Sequence, residues 1–285
     1  MKTVNGFALI LFALAVGLGT GRAVQKGEDK LNVKFGVCDW TIGKTGDPAA
    51  LELASKLGLE GVQVSLNIKN GSLELGQAAL QKSYLDLARK HGLAIASFAI
   101  GDLNNLPFKS DPRAEQWLEQ SIDICRAMDV KVVLVPFFGK GDLRNDPKGM
   151  EEVIERLKRI APKAEKAGVI LALESWLSAE DHLKIIKDVG SPAVQVYYDV
   201  GNSQEAGYDI FKEIRLLGDR ICQFHAKDYK ALYGQGSMDF KAVRKAMEDI
   251  GYRGWFVLEG TELPLGIEKS VRYDLDYLKA VFSAR

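Results

Sequence analysis

The chain has 285 residues, and its 38 Lys and Arg balance 38 Asp and Glu for a formal charge of zero. With 47% hydrophobic and 27% charged residues it can bury a core, which excludes a disordered chain. It has no basic excess from which to build a nucleic-acid platform, so no nucleic-acid partner is expected.

Lys2 gives the N-terminus a short positive region, and Phe7 to Gly19 (FALILFALAVGLG) is an apolar run of 13 residues. That is shorter than the roughly 20 residues a helix needs to cross a bilayer. Gly21 and Ala23 supply the small residues of a cleavage site. Residues 1–23 therefore read as a signal peptide and residues 24–285 as one domain, with an uncleaved anchor as the competing reading. The expected location is periplasmic or extracellular, without stable membrane insertion after cleavage. Cleavage removes Lys2 and Arg22 and no acid, which leaves 36 basic against 38 acidic residues. Cys38, Cys125 and Cys222 are far apart and odd in number, so free core thiols are expected rather than a disulfide.

From residue 33 onward two textures alternate. Short Val-, Ile- and Phe-rich runs span 33–38, 62–66, 93–100, 130–137, 169–174, 194–200, 221–225 and 255–259. They are largely unalternated, as strands buried on both faces are. Amphipathic segments lie between them at 48–57, 77–91, 112–128, 150–167, 178–189, 209–217, 240–250 and 268–282. Several follow or open on an Asp, a cap candidate, and close on Gly92, Gly168, Gly190, Gly218 or Gly251. Eight strand–helix units in about 250 residues predict an α/β fold of the (β/α)8 TIM barrel type. A doubly wound open sheet is the competitor, but no GxGxxG follows the first strand.

In such a barrel the chemistry lies at the C-terminal strand ends. Four late runs end in a polar residue: VILALES in Glu174, VQVYYDVGN in Asp199, ICQFHAKD in His225, and GWFVLEG in Glu259. Carboxylates converging from neighbouring strands repel one another unless a cation lies between them. Three acidic oxygens and one imidazole form a shell for one divalent metal ion, Mn2+, Mg2+, Co2+ or Zn2+. Of the three histidines, His91 and His182 fall on helices and are expected to be solvated, which leaves His225 as the ligand. Capping or ion pairing could explain any one of these residues alone; the joint placement carries the metal reading.

The sequence resembles the xylose isomerase-like TIM barrel superfamily, and within it the sugar phosphate isomerase/epimerase branch. The resemblance rests on VILALES, YYDVGN, FHAKD, LYGQGSMDF and GYRGWFVLEG, and it spans nearly the whole mature chain. It implies a metal shell of Glu174, Asp199, His225 and Glu259, with Glu174 and Glu259 as the catalytic acid/base pair. Two positions depart from the epimerase pattern: Asn202 stands where a histidine is usual and Ala231 where an arginine is usual. Both usually touch substrate, which puts free-ketose 3-epimerisation in doubt. The trinuclear zinc site of the endonuclease IV branch needs several histidines that this chain lacks.

The expected function is a metal-dependent sugar isomerase or epimerase that moves a proton next to a carbonyl through an enediolate. A lyase or dehydratase acting on an oxidised sugar, glycoside or cyclitol uses the same first step, and a secreted carbohydrate-binding barrel without catalysis is the third reading. The expected partner is a small sugar or sugar derivative, which export favours as unphosphorylated; a homo-oligomer stays open. Lys227, Asn202, Trp40, Trp176 and Gln63 are the expected substrate-binding residues. Ser65, Phe137 and Phe138 are weaker candidates, and Asp228 reads as a loop cap or a partner of Lys227.

Overall fold

The computed structural model describes Met1, residues 31–260 and residues 262–283. The expected signal segment and its cleavage site lie outside the described residues. No helix among the described residues is long and apolar enough to cross a membrane.

Eight parallel strands close into a barrel: β1 (Val33–Cys38), β2 (Gly61–Ser65), β3 (Ala94–Ala99), β4 (Val132–Phe137), β5 (Ile170–Ser175), β6 (Val194–Asp199), β7 (Ile221–Ala226) and β8 (Gly254–Leu258). Closure comes from β1 pairing with β8, from Val33 opposite Gly254 to Val37 opposite Leu258. Residues in the middle of these strands are buried because side chains on one face fill the barrel and those on the other meet helices. The expected runs and the observed strands agree to within one or two residues at each end.

The helices are α1 (Ala49–Leu57), α2 (Ala78–His91), α3 (Ala114–Met128), α4 (Pro147–Ala167), α5 (Ala179–Val189), α6 (Val200–Glu205), α7 (Ile210–Leu217), α8 (Phe240–Asp249) and α9 (Ile267–Ser283). Their ends follow local chemistry. The Ser178, Asp209 and Asp239 side chains accept from first-turn backbone N–H groups. Gly92, Gly168 and Gly190 close α2, α4 and α5 in the left-handed conformation. A small antiparallel pairing of Ile68–Lys69 with Ser72–Leu73 was not expected, and two helices also differ from the sequence expectation. α4 begins a turn earlier than expected, because Asp146 caps Gly149 N and Pro147 occupies the first turn. α6 begins inside the YYDVGN stretch, where Asp199 acts as its N-cap.

The cysteines are free as expected, with Cys38 and Cys125 buried. His182 is not solvated: it is only 4% exposed. Its Nε2 lies 3.0 Å from Ser175 Oγ and its Nδ1 3.0 Å from Ser178 O, so two nearby groups satisfy a ring facing the core. Burial lowers its pKa to about 4, keeping it neutral. His91 is half-buried at the end of α2.

Candidate metal centre and active site

The four expected ligands meet at one end of the barrel. Register brings Asp199 opposite His225 and Glu174 opposite Pro136. Glu259 follows β8 directly, and its N–H donates to Ala226 O at 2.9 Å, which holds it beside the end of β7. One ligand atom from each of Glu174, Asp199, His225 and Glu259 lies within 4.8 Å of every other. His225 Nδ1 is 3.0 Å from Glu174 Oε1, 3.3 Å from Glu259 Oε2 and 3.5 Å from Asp199 Oδ2.

The donor chemistry fits a divalent cation. Asp199 Oδ1 accepts from Asn202 N at 2.7 Å, the cap of α6, while Oδ2 is buried with no hydrogen-bond partner. A buried carboxylate oxygen without a donor is costly unless a cation faces it. Burial opposes ionisation of Asp199, but the nearby charges of Lys227 and His225 outweigh it and hold the carboxyl below its usual range. Burial pushes Glu259 up to about 7 against the opposing charges of Lys227 and His225. For His225 burial disfavours the charged ring, yet the surrounding groups Tyr197, Cys38, Glu259 and Glu174 raise its pKa well above the ordinary value. A cation among these carboxylates would relieve both conflicts.

The neighbouring side chains fix the two glutamates differently. Glu174 Oε1 faces both His225 and Asn202 Nδ2, the latter donating at 3.2 Å, while Tyr229 OH donates to Asn202 Oδ1. No protein group donates to Glu174 Oε2 among the described residues. Glu259 is held at both oxygens, by Trp40 Nε1 at 3.1 Å and by Lys227 Nζ at 2.9 Å. Lys227 Nζ also lies 3.6 Å from Asp199 Oδ2. Gly201 makes this placement possible: a Cβ there would fall 2.8 Å from Lys227 Cβ.

These groups open into a cavity of about 450 Å³. Trp40, Trp176, Asn202, Lys227, Ser65 and Phe138 line it. Phe137 does not; it is buried against Phe108. Gln63 does not line it either, a correction to its expected substrate contact. It is fully buried one layer deeper in the barrel, where its Oε1 lies 2.7 Å from His225 Nε2 and accepts from Cys38 Sγ at 3.2 Å. Side chains two residues apart on a strand share a face, so Gln63 sits beneath Ser65. Asp228 is a loop cap, accepting from Lys230 N and Met238 N at 3.0 Å each. Gly236 packs on its carboxylate so closely that a Cβ would lie 2.1 Å from Oδ2, which gives the Gly-x-Gly stretch a steric reason.

The sequence reading missed Asp39, Asn67, Asp102, Asn104 and Tyr229. Asp39 is buried and takes Ser65 Oγ at 2.6 Å and the N–H groups of Gly46 and Ser65, which ties the loop carrying Trp40 to β2. It ends an apolar run as the four ligands do, so the same signal could have found it. Asn67 and Tyr229 lie in loops and Asp102 and Asn104 in a short 3-10 helix, Gly101–Asn104, where a polar residue is unremarkable.

The Xylose isomerase-like TIM barrel family model matches residues 51–281. The chain belongs to this family. Among its relatives is SgbU of Escherichia coli (strain K12), named as a candidate L-ribulose-5-phosphate 3-epimerase. It is 26% identical over 236 residues, 74% of this chain and 82% of the relative. A 2-epi-5-epi-valiolone 7-phosphate 2-epimerase of an Actinoplanes species is 23% identical over 180 residues, 63% of this chain and 66% of the relative. The solved structure of an L-ribulose 3-epimerase superposes with a TM-score of 0.73 at 20% identity, covering 88% of this chain and 95% of that one, and so shares its fold.

Proposed function

We propose that this chain is a divalent-metal-dependent sugar isomerase or epimerase acting by proton transfer at a carbon next to a carbonyl. The observation that carries the reading is the four-residue cluster beneath a polar, aromatic-walled cavity, with one buried Asp199 oxygen that makes no hydrogen bond. The names of the sugar-epimerising relatives support the reaction class. A bound divalent ion would polarise the substrate carbonyl and hydroxyl oxygens and stabilise the negative charge that develops during proton removal. Glu174, with its second oxygen free of protein donors, is placed to take the carbon-bound proton. Glu259 returns a proton from the other side, with Trp40 and Lys227 holding its carboxyl in place. Asn202 lines the cavity, as its expected substrate contact requires, and also holds Glu174 through one bond to it and another to Tyr229. Trp40, Phe138 and Trp176 give the sugar apolar faces to stack on. The N-terminal apolar segment supports export of the mature enzyme.

The runner-up is a lyase that expels a group β to the same carbonyl. A second cleft of about 440 Å³ shares Trp176 and Tyr229 with the main cavity and would give a departing group somewhere to lie.

The test is incubation of metal-loaded protein with ketoses and keto-glycosides in D2O. Deuterium should enter the substrate at a carbon next to the carbonyl, and Glu174→Gln and Glu259→Gln should each slow this by roughly 10²–10⁴-fold. Uptake unchanged in both variants would overturn the assignment. An epimerised product separates the first reading from a lyase, which would release an unsaturated one.

A further inference from the structure

The charge inventory of the cavity bears on the kind of sugar it accepts. Asp102, Glu174 and Glu259 line it, and Asp199 lies directly beneath. With a divalent ion bound, His225 is a neutral ligand and these four carboxylates face the single positive side chain of Lys227, the one Lys or Arg among the described lining residues. That ammonium is already committed to Glu259 at 2.9 Å and Asp199 at 3.6 Å. A divalent ion adds two positive charges and still leaves one negative charge in excess. The remaining hydrogen-bonding groups, including Ser65, Asn67, Asn104 and Thr45, are neutral, which suits hydroxyl groups.

The adjoining cleft does not supply the missing cation. Arg144 points into it, but its guanidinium holds Asp142 at 2.7 and 3.0 Å and stacks on Trp176 at 4.5 Å. Lys230 shares that cleft with Glu205. A phosphate ester needs a surplus of donors or positive charge where its dianion comes to rest, and this site has the opposite balance.

We propose that the site is selective for an unphosphorylated sugar, a free ketose or a neutral keto-glycoside, and discriminates against terminal phosphate esters, although the relatives named above include enzymes named for phosphorylated substrates. The inference rests on the proton-transfer reading and adds the substrate class to it.

Matched pairs test it: five- and six-carbon free ketoses and 3-keto-glycosides, each with its terminal phosphate ester, beginning with L-ribulose and L-ribulose 5-phosphate. Each is incubated with the metal-loaded full chain in D2O, and deuterium uptake is followed as a function of concentration. The free sugar should show a kcat/KM roughly 100-fold above its ester, the scale of a like-charge mismatch in a desolvated site. Equal or faster uptake by the esters would overturn the substrate class while leaving the proton-transfer reading standing. No uptake by either member of any pair would overturn that reading and this inference with it. Thr45→Lys adds a cation at the exposed rim and should narrow the ratio by about tenfold or more; an unchanged ratio would remove charge as the cause of selectivity.

Discussion

His225 has two ring nitrogens with different neighbours. Nδ1 faces the carboxylates, and Nε2 faces Gln63 Oε1 at 2.7 Å inside the sealed barrel. An acceptor at Nε2 keeps the proton there and leaves the Nδ1 lone pair for a metal. Gln63→Leu should therefore weaken divalent-ion binding by about 10–100-fold, measured by calorimetric titration, while Gln63→Glu, which keeps an acceptor, should stay near wild type. Equal affinity in all three proteins would contradict the role. At this scale the four candidate ligands were legible because each is a polar residue ending an apolar run. Gln63 was legible as important but misplaced by one layer: a strand pattern gives the face a side chain takes, not its depth in a barrel. Asn202 shows the complementary limit, since sequence could name the departure from the family pattern but not the Tyr229–Asn202–Glu174 chain that replaces it.

The β5–α5 unit shows how an element can depend on one buried side chain. Ser175 ends β5, Ser178 caps α5, and His182 on that helix joins them across the loop that carries Trp176. His182 is neutral in the folded state down to about pH 4, whereas its ordinary pKa is 6.5. Between those values the unfolded chain binds a proton that the folded chain does not, so stability falls as pH drops through this window. The loss reaches about 3 kcal/mol by pH 4. Denaturant unfolding at pH 7 and pH 4.5 should show a steeper loss in wild type than in His182→Asn; identical losses would contradict this account. Sequence placed α5 correctly, yet assigned His182 to solvent, because the two serines that satisfy it become neighbours only after the β5–α5 turn forms. The early start of α4 and the presence of α6 were hidden for a similar reason: Gly149 and the apolar stretch before Asp199 mask capping signals.

At the scale of the molecule, alternation of strand and helix textures was enough to read a closed barrel, since eight units of this size leave few other closures. The closing pairing of β1 with β8 brings Trp40, carried by the loop after β1, against Glu259, which follows β8. A sequence pattern cannot show that contact, because its partners are 219 residues apart. The same architecture places three acids and one histidine where Lys227 offsets only part of their repulsion, so a divalent cation held by them is expected to stabilise the fold.

Thermal unfolding of the chelator-stripped chain, with and without Mn2+, Mg2+, Co2+ or Zn2+ at about 100 times its dissociation constant, tests that coupling directly. Binding at this ratio adds about 2.7 kcal/mol, which for a domain of this size raises Tm by roughly 5–10 °C. At least one of the four ions should produce this rise in the wild type, with one ion bound per chain, and Asp199→Asn should lose it. No rise with any ion, or an equal rise in Asp199→Asn, would contradict a single metal centre shared by Glu174, Asp199, His225 and Glu259.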